Sequence, residues 1–265
     1  MQITAKLVND LRARTNVGMM ECKKALVACD GDIEAAIEHL RKVGIMKAEE
    51  KQGRAAKQGL IFGKTEGNAA VLIELLCETD FVAKTEEFKA FGAHLCDIAI
   101  KYAEEGDISA KLAKETEEDL KVLIAKIKEN MIVRRAIRWV SNDTLGYYIH
   151  TGNPFGVLVD VAGPKAAELV KPICMHVTAY NPDYIDVADI PADKVAKERE
   201  IAMAQVPADK PDKIKNGIVM GKLNKWYTTV CLMKQPWLLN TDSTLEKEAP
   251  GLKVKRMVRW LAGEE

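Results

Sequence analysis

A chain of 265 residues is too long for one small domain and long enough for two or three. With 48% hydrophobic and 29% charged residues it has the makings of a sizeable core. Lys plus Arg equals Asp plus Glu at 39 each, which argues against nucleic acid held by bulk electrostatics, and no apolar run reaches the length of a membrane span.

From Thr4 to Val43 the pattern predicts three short helices. Their apolar faces are Leu7, Val8 and Leu11, then Cys22, Ala25, Leu26 and Cys29, then Ile33, Ala36, Ile37 and Leu40. Thr15-Asn16-Val17-Gly18 separates the first two helices. Asp30-Gly31-Asp32 separates the second from the third, with Asp32 as N-cap. Arg12 lies off the apolar face. Met19 and Met20 open the second helix; two adjacent side chains point in different directions, so at least one is expected at the surface, where Met adapts to irregular partners. Met1-Gln2-Ile3-Thr4 lacks a charged region followed by an apolar one, so no secretory leader is expected.

Lys47 to Gln58 is polar and reads as a linker. Leu60-Ile61-Phe62 and Ala69 to Cys77 flank Lys64-Thr65-Glu66-Gly67-Asn68, which predicts a hairpin. The second run is interrupted only by Glu74 and reads as a buried strand. Thr85, followed by Glu86 and Glu87, is a helix N-cap with acids at the positive helix end. Phe88, Phe91, Leu95, Ile98, Ala99 and Tyr102 then recur at helical spacing. Between strand and helix, Thr79-Asp80-Phe81-Val82 forms a corner. A carboxylate beside a large ring there has two readings. It is a capping Asp beside a tucked-in Phe, or a projecting wedge whose ring enters a partner's pocket.

Glu115 to Ile127 predicts a helix with Leu120, Leu123, Ile124 and Ile127 on one face. Met131 to Val140 predicts a half-buried strand, with Val133, Arg135, Ile137 and Trp139 on one side and Arg134 and Arg138 on the other. Gly156-Val157-Leu158-Val159-Asp160-Val161 echoes Ala70-Val71-Leu72-Ile73-Glu74-Leu75, and each run precedes a helix, the second at about Ala166 to Ala179. Such repeated units predict an α+β core of two related halves. His150 precedes Thr151-Gly152-Asn153-Pro154. His176 lies among apolar residues and reads as a hydrogen-bonded core histidine.

Ala192 to Gln205, a proline-rich turn Pro207-Ala208-Asp209-Lys210-Pro211-Asp212, and a helix to about Tyr227 predict an antiparallel helical hairpin with Ile214, Ile218 and Leu223 aligned. Gly217-Ile218-Val219-Met220-Gly221-Lys222 lacks the spacing and the Ser or Thr of a phosphate loop. Cys231 to Leu238 and Leu252 to Leu261 read as strands rejoining the core, the first at an edge because of Pro236. Cys22, Cys29, Cys77, Cys96, Cys174 and Cys231 form no Cys-x-x-Cys pair and read as reduced residues of a cytoplasmic protein. His39, His94, His150 and His176 fall in no metal-ligand spacing.

Leu11-Arg12-x-x-Thr15-x-x-Gly18-Met19-Met20-Glu21-Cys22-Lys23-Lys24-Ala25-Leu26 is similar to the N-terminal signature of the bacterial translation elongation factor Ts family. Thr79-Asp80-Phe81-Val82-Ala83 resembles its second signature. Two long ordered motifs at this separation are specific, and the resemblance runs loosely along the whole chain. It implies a ubiquitin-associated-like three-helix domain and linker start over 1–54, a core N-subdomain over 55–140, and a core C-subdomain over 141–191 that returns over 230–265. A coiled-coil hairpin is inserted at 192–229. It also implies a non-catalytic guanine-nucleotide exchange factor for the GTPase elongation factor Tu. Such a factor needs no cofactor or metal, and no nucleotide, nucleic acid or membrane of its own. Thr79, Asp80, Phe81 and Val82 would be the nucleotide-release wedge; Arg12, Met19 and Met20 would dock on the partner's nucleotide domain; the core around His150 would meet its far domain. The family has a His, then glycines and an Arg, where this chain has Asn153, Pro154 and Phe155. Some members carry a further C-terminal helical piece, and no contact from one is expected here.

Two other functions fit parts of the sequence. An acid–base enzyme centred on Asp80 would need a neighbouring His, a second carboxylate or a metal cluster. A ubiquitin-associated-type protein- or peptide-binding module would use the first three helices and leave the Asp80–Phe81 corner and the helical arm without a role.

Overall fold

The computed structural model describes residues 3–15, 17–49, 53–150, 155–207 and 211–264, with side chains described throughout except at 44–49. The chain is α+β. It divides into two units, Met1–Phe62 with Ile73–Ile137 and Ala262–Glu265, and Gly63–Leu72 with Arg138–Leu261.

In the first unit, α1 (Ala5–Thr15), α2 (Met19–Ala28) and α3 (Ile33–Glu49) pack on one another. Every residue of the three expected apolar faces joins their common core, with Leu11, Cys22, Leu26 and Ala36 fully enclosed. Asp32 caps α3 by accepting from the Ala35 N–H at 2.9 Å. The third helix runs past Val43 into the expected linker and packs against a later helix, at Glu117–Ile127.

Strands β1 (Gln58–Glu66) and β2 (Ala69–Cys77) form the expected hairpin with a tighter turn, Gly67-Asn68. Gly67 has φ 59°, and glycine at the first position of a two-residue hairpin turn is what a type II′ geometry selects. There follow α4 (Asp80–Ala83), α5 (Glu86–Ala99), β3 (Gly106–Asp107), α6 (Ser109–Glu115), α7 (Glu117–Ile127) and β4 (Met131–Val140). The sheet order is β1-β2-β4-β3, and every residue of β2 is buried.

The expected alternation on β4 slips. Met131 and Val133 are buried, Arg134 and Arg135 both partly so, and Ala136, Arg138 and Trp139 are buried, so Arg138 lies inside and Ile137 does not. The cause is Glu74. It is fully buried on β2 and takes both neighbouring arginines, Arg135 Nε at 2.5 Å and Arg134 Nη1 at 3.4 Å, which a strict alternation would send to opposite faces. A third donor, the Gly263 N–H, reaches the same carboxylate at 2.8 Å. A buried charge is tolerated only when its lone pairs are filled in this way.

The second unit is built on β5 (Thr144–Ile149), β6 (Phe155–Ala162) and β9 (Lys253–Leu261), antiparallel in the order β5-β6-β9. Helix α8 (Ala166–Tyr180) lies on β5 and β6. Gly146 allows this approach: a Cβ there would come within 2.3 Å of the Val170 side chain. The echo between the two central strands includes the acid. Asp160 on β6, like Glu74 on β2, is buried, faces Arg256 across the ladder, and accepts from its Nη2 at 2.8 Å and from Ser141 Oγ at 2.9 Å.

The arm consists of α9 (Ala192–Ala204) and α10 (Asp212–Val230), closed by Ala202, Val219 and Leu223. Ile214 was expected inside and is 51% exposed; Val219 takes the inner place. Residues 208–210 of the expected turn lie outside the described residues. The expected strand Cys231–Leu238 is largely a 3₁₀ turn at Leu232–Lys234. The Lys234 and Gln235 N–H groups turn back to the Cys231 carbonyl, and consecutive Leu232 and Met233 are both buried, which an alternating strand cannot do. Only β7 (Pro236–Trp237) is extended, paired with β8 (Asn240–Thr244) ahead of α11 (Leu245–Glu248).

Candidate partner-binding site

The corner after β2 is a single helical turn, α4, and its cap is Thr79 rather than Asp80. Thr79 is extended, and its Oγ1 accepts from the Val82 N–H at 3.4 Å. Val82 and Ala83 turn inward and are buried. Phe81, on the same turn, points away from the core and is 78% exposed. Of the two readings of this corner, the tucked-in ring is the one the structure removes. Asp80 is also exposed and pairs with Lys84 at 2.6 Å; this hydrogen bond holds its carboxyl below the usual range. The same lysine ammonium stands 6.0 Å from the centre of the Phe81 ring, at the edge of cation–π range. The corner thus presents a bare ring and a tethered carboxylate side by side.

Beneath it the backbone is pinned. The Thr79 N–H donates to Glu129 Oε2 at 3.0 Å and its hydroxyl to Glu129 Oε1 at 2.7 Å. The Asn130 N–H donates to Glu78 Oε1 at 2.7 Å, and Asn130 Nδ2 to the Arg54 carbonyl at 2.7 Å. Cys77 donates its thiol proton to the Thr79 carbonyl at 3.1 Å. Burial, with the Glu129 charge adding to it, pushes that thiol up to about 12, so it stays protonated and inert. Glu129 and Asn130 carry no sequence signal for this role. Both lie some fifty positions from the corner, on the loop between α7 and β4.

Arg12 is exposed on α1, and Met19 and Met20 open the first turn of α2 at 49% and 65% exposure. These three share the packed pair α1–α2, whereas Thr79, Asp80, Phe81 and Val82 stand on a separate element of the same unit. His150 belongs to the second unit, at the end of β5, half-buried. Its N–H donates to the Phe155 carbonyl at 3.1 Å, and its Nδ1 is 2.9 Å from the Tyr148 hydroxyl. With Tyr148, Phe155, Met175 and Leu238 it lines a shallow, mostly apolar pocket. The altered segment 151–154 lies outside the described residues. Among the described residues no three His, Cys, Asp or Glu side chains gather as a metal site, and no helix is long and apolar enough to cross a membrane.

The sequence model of the family described as Elongation factor TS matches residues 78–264. Elongation factor Ts of Xanthomonas campestris pv. campestris (strain B100) is 44% identical over 274 residues, covering 100% of this chain and 93% of its own length. The same-named protein of Thioalkalivibrio sulfidiphilus (strain HL-EbGR7) is 42% identical over 276 residues, with coverages of 100% and 93%. That of Clostridium botulinum (strain Alaska E43 / Type E3) is 40% identical over 283 residues, with coverages of 99% and 93%. With a family match over most of its length and relatives this similar from end to end, the chain belongs to the elongation factor Ts family, a family of translation elongation factors.

Proposed function

We propose that the protein is a guanine-nucleotide exchange factor for elongation factor Tu, acting in the cytoplasm without binding nucleotide, nucleic acid or membrane itself. The observation that carries this reading is Phe81: a large ring, 78% exposed, on a turn whose last residues, Val82 and Ala83, are buried and whose backbone is hydrogen-bonded on both sides of the ring. Exposing an aromatic ring to water costs about 25 cal/mol for each Å² left unburied, so a ring held out on a rigid turn is best explained by a pocket it enters.

A GTPase holds its nucleotide through backbone donors, a lysine and Mg²⁺ bridged to phosphate oxygens. Mg²⁺ demands near-ideal octahedral geometry, so a small displacement of its ligands weakens it sharply. The Phe81 ring supplies the displacement, and the adjacent Asp80 carboxylate, repelled by phosphate oxygens, supports it. Arg12, Met19 and Met20 provide a docking surface on the partner's nucleotide domain. The apolar pocket at His150 provides a second attachment elsewhere on the partner. The three-helix block serves as a docking domain of ubiquitin-associated type.

Phe81→Ala tests the reading. Release of a fluorescent GDP analogue from elongation factor Tu at saturating factor should slow at least about tenfold, roughly 1.4 kcal/mol on the barrier. The melting temperature should stay within about 1 °C, because an exposed ring contributes little packing. Release at the wild-type rate would overturn the wedge.

A further inference from the structure

Resting on that reading, we propose that Glu129 is a positioning residue for nucleotide release, fixing the direction of the Phe81 ring through Thr79. The ring cannot hold itself, since most of it faces water. Nor can its helix, because α4 has four residues and one isolated turn is not self-supporting. The turn that carries the ring is anchored on its far side by the buried Val82 and Ala83 and on its near side by the backbone at Thr79.

That backbone is gripped by a reciprocal clamp. Glu129 accepts from the Thr79 N–H at 3.0 Å, and Glu78 accepts from the Asn130 N–H at 2.7 Å. Two consecutive residues on each strand of chain thus exchange a carboxylate for an amide. Hydrogen bonds to an ionised acceptor are the strong kind. Glu129 goes further and uses its second oxygen on the Thr79 hydroxyl at 2.7 Å. With its proton committed there, Thr79 Oγ1 has lone pairs left for the Val82 N–H, the first bond of α4. Removing the carboxylate would free the hydroxyl to rotate and loosen cap and clamp together.

The clamp has a firm base. Lys128 closes α7 with φ 70°, and Asn130 is buried with its side-chain amide on the Arg54 carbonyl. Glu129 therefore projects from a loop held on either side, and its two hydrogen bonds go to Thr79, not to the ring.

The test is a double-mutant cycle with Phe81→Ala, reading release of the fluorescent GDP analogue from elongation factor Tu across a range of factor concentrations. Glu129→Ala is expected to lower the maximal release rate about tenfold, in line with loss of charge-assisted bonds at one site. The half-saturating concentration should change less than about twofold, since docking lies elsewhere. Glu129→Gln keeps one acceptor for the Thr79 N–H and should recover part of the rate. In the Phe81→Ala background, Glu129→Ala should add less than about a further twofold. If Glu129→Ala matches wild type, or slows release equally in both backgrounds, Glu129 does not act through the ring and the proposal falls. If Phe81→Ala alone matches wild type, the exchange wedge itself fails. Should Glu129→Ala lower the melting temperature, the same cycle run with Glu129→Gln decides between these outcomes.

Discussion

His176 is buried between the rings of Tyr180 and Trp237, with centroids at 4.5 and 5.1 Å. Its Nδ1 accepts from the Leu238 N–H at 3.3 Å, so the proton of the neutral ring sits on Nε2 and donates to Gln235 Oε1 at 2.9 Å. Gln235 passes the connection on, its amide donating to the Thr229 and Tyr180 carbonyls. Burial pulls the imidazole pKa below its ordinary 6.5, against a smaller upward pull from Gln235. The unfolded chain therefore takes up this proton first as pH falls. His176 contributes its full stability above about pH 6.5, and the contribution is lost as pH drops from there through the lowered folded value. Urea unfolding between pH 8 and 5 should show this loss, with a slope of at most about 1.4 kcal/mol per pH unit, and His176→Phe should remove that component. An unchanged slope in the variant would mean that His176 titrates alike in both states. The sequence placed His176 in the core, because its helical neighbours are apolar. It did not show Gln235, which is 59 positions away. The limit was the same at the corner. Asp80 and Thr79 are both good caps; Thr79 serves, and its hydroxyl is held by Glu129, a partner that local spacing does not reveal.

Helices were legible wherever an apolar face recurred, and the three apolar faces of the helical block match its core residue for residue. Elements failed where local pattern was ambiguous. Thr144–Ile149, half-buried except at the exposed Tyr147, shows no alternation that would mark β5. The segment after Cys231 is apolar on consecutive residues, a pattern that a buried strand and a buried turn share. The long α3 was cut short because its last turns carry charged residues, yet it packs against α7. This packing bears on how the block can be removed. A chain beginning at Gly53 keeps the Arg54 carbonyl that holds Asn130, and uncovers the α7 face. It should fold with native circular dichroism, melt about 2–8 °C lower, and bind elongation factor Tu at least about tenfold more weakly. Binding at full strength would show that Arg12, Met19 and Met20 are not a docking surface.

For the molecule as a whole, exchange requires that the factor prefer the emptied partner, and linkage makes the preference mutual. Titration calorimetry should give no heat for GDP with the factor alone and tight binding to nucleotide-free elongation factor Tu. Binding to the GDP–Mg²⁺ form should be weaker and recover as Mg²⁺ is chelated; equal affinity for empty and loaded partner would leave no differential energy for exchange. The order in which the chain is made adds a different constraint. Glu74 sits among the first third of the residues, while its third donor is Gly263, and β6 gains one of its two neighbours only with β9. As a chain leaves the ribosome from its N-terminus, the third donor to Glu74 and the second neighbour of β6 arrive only when the segment 253–263 has emerged. In a translation factor of this topology both buried acids, Glu74 and Asp160, wait for a partner on β9 or just past it, Gly263 and Arg256.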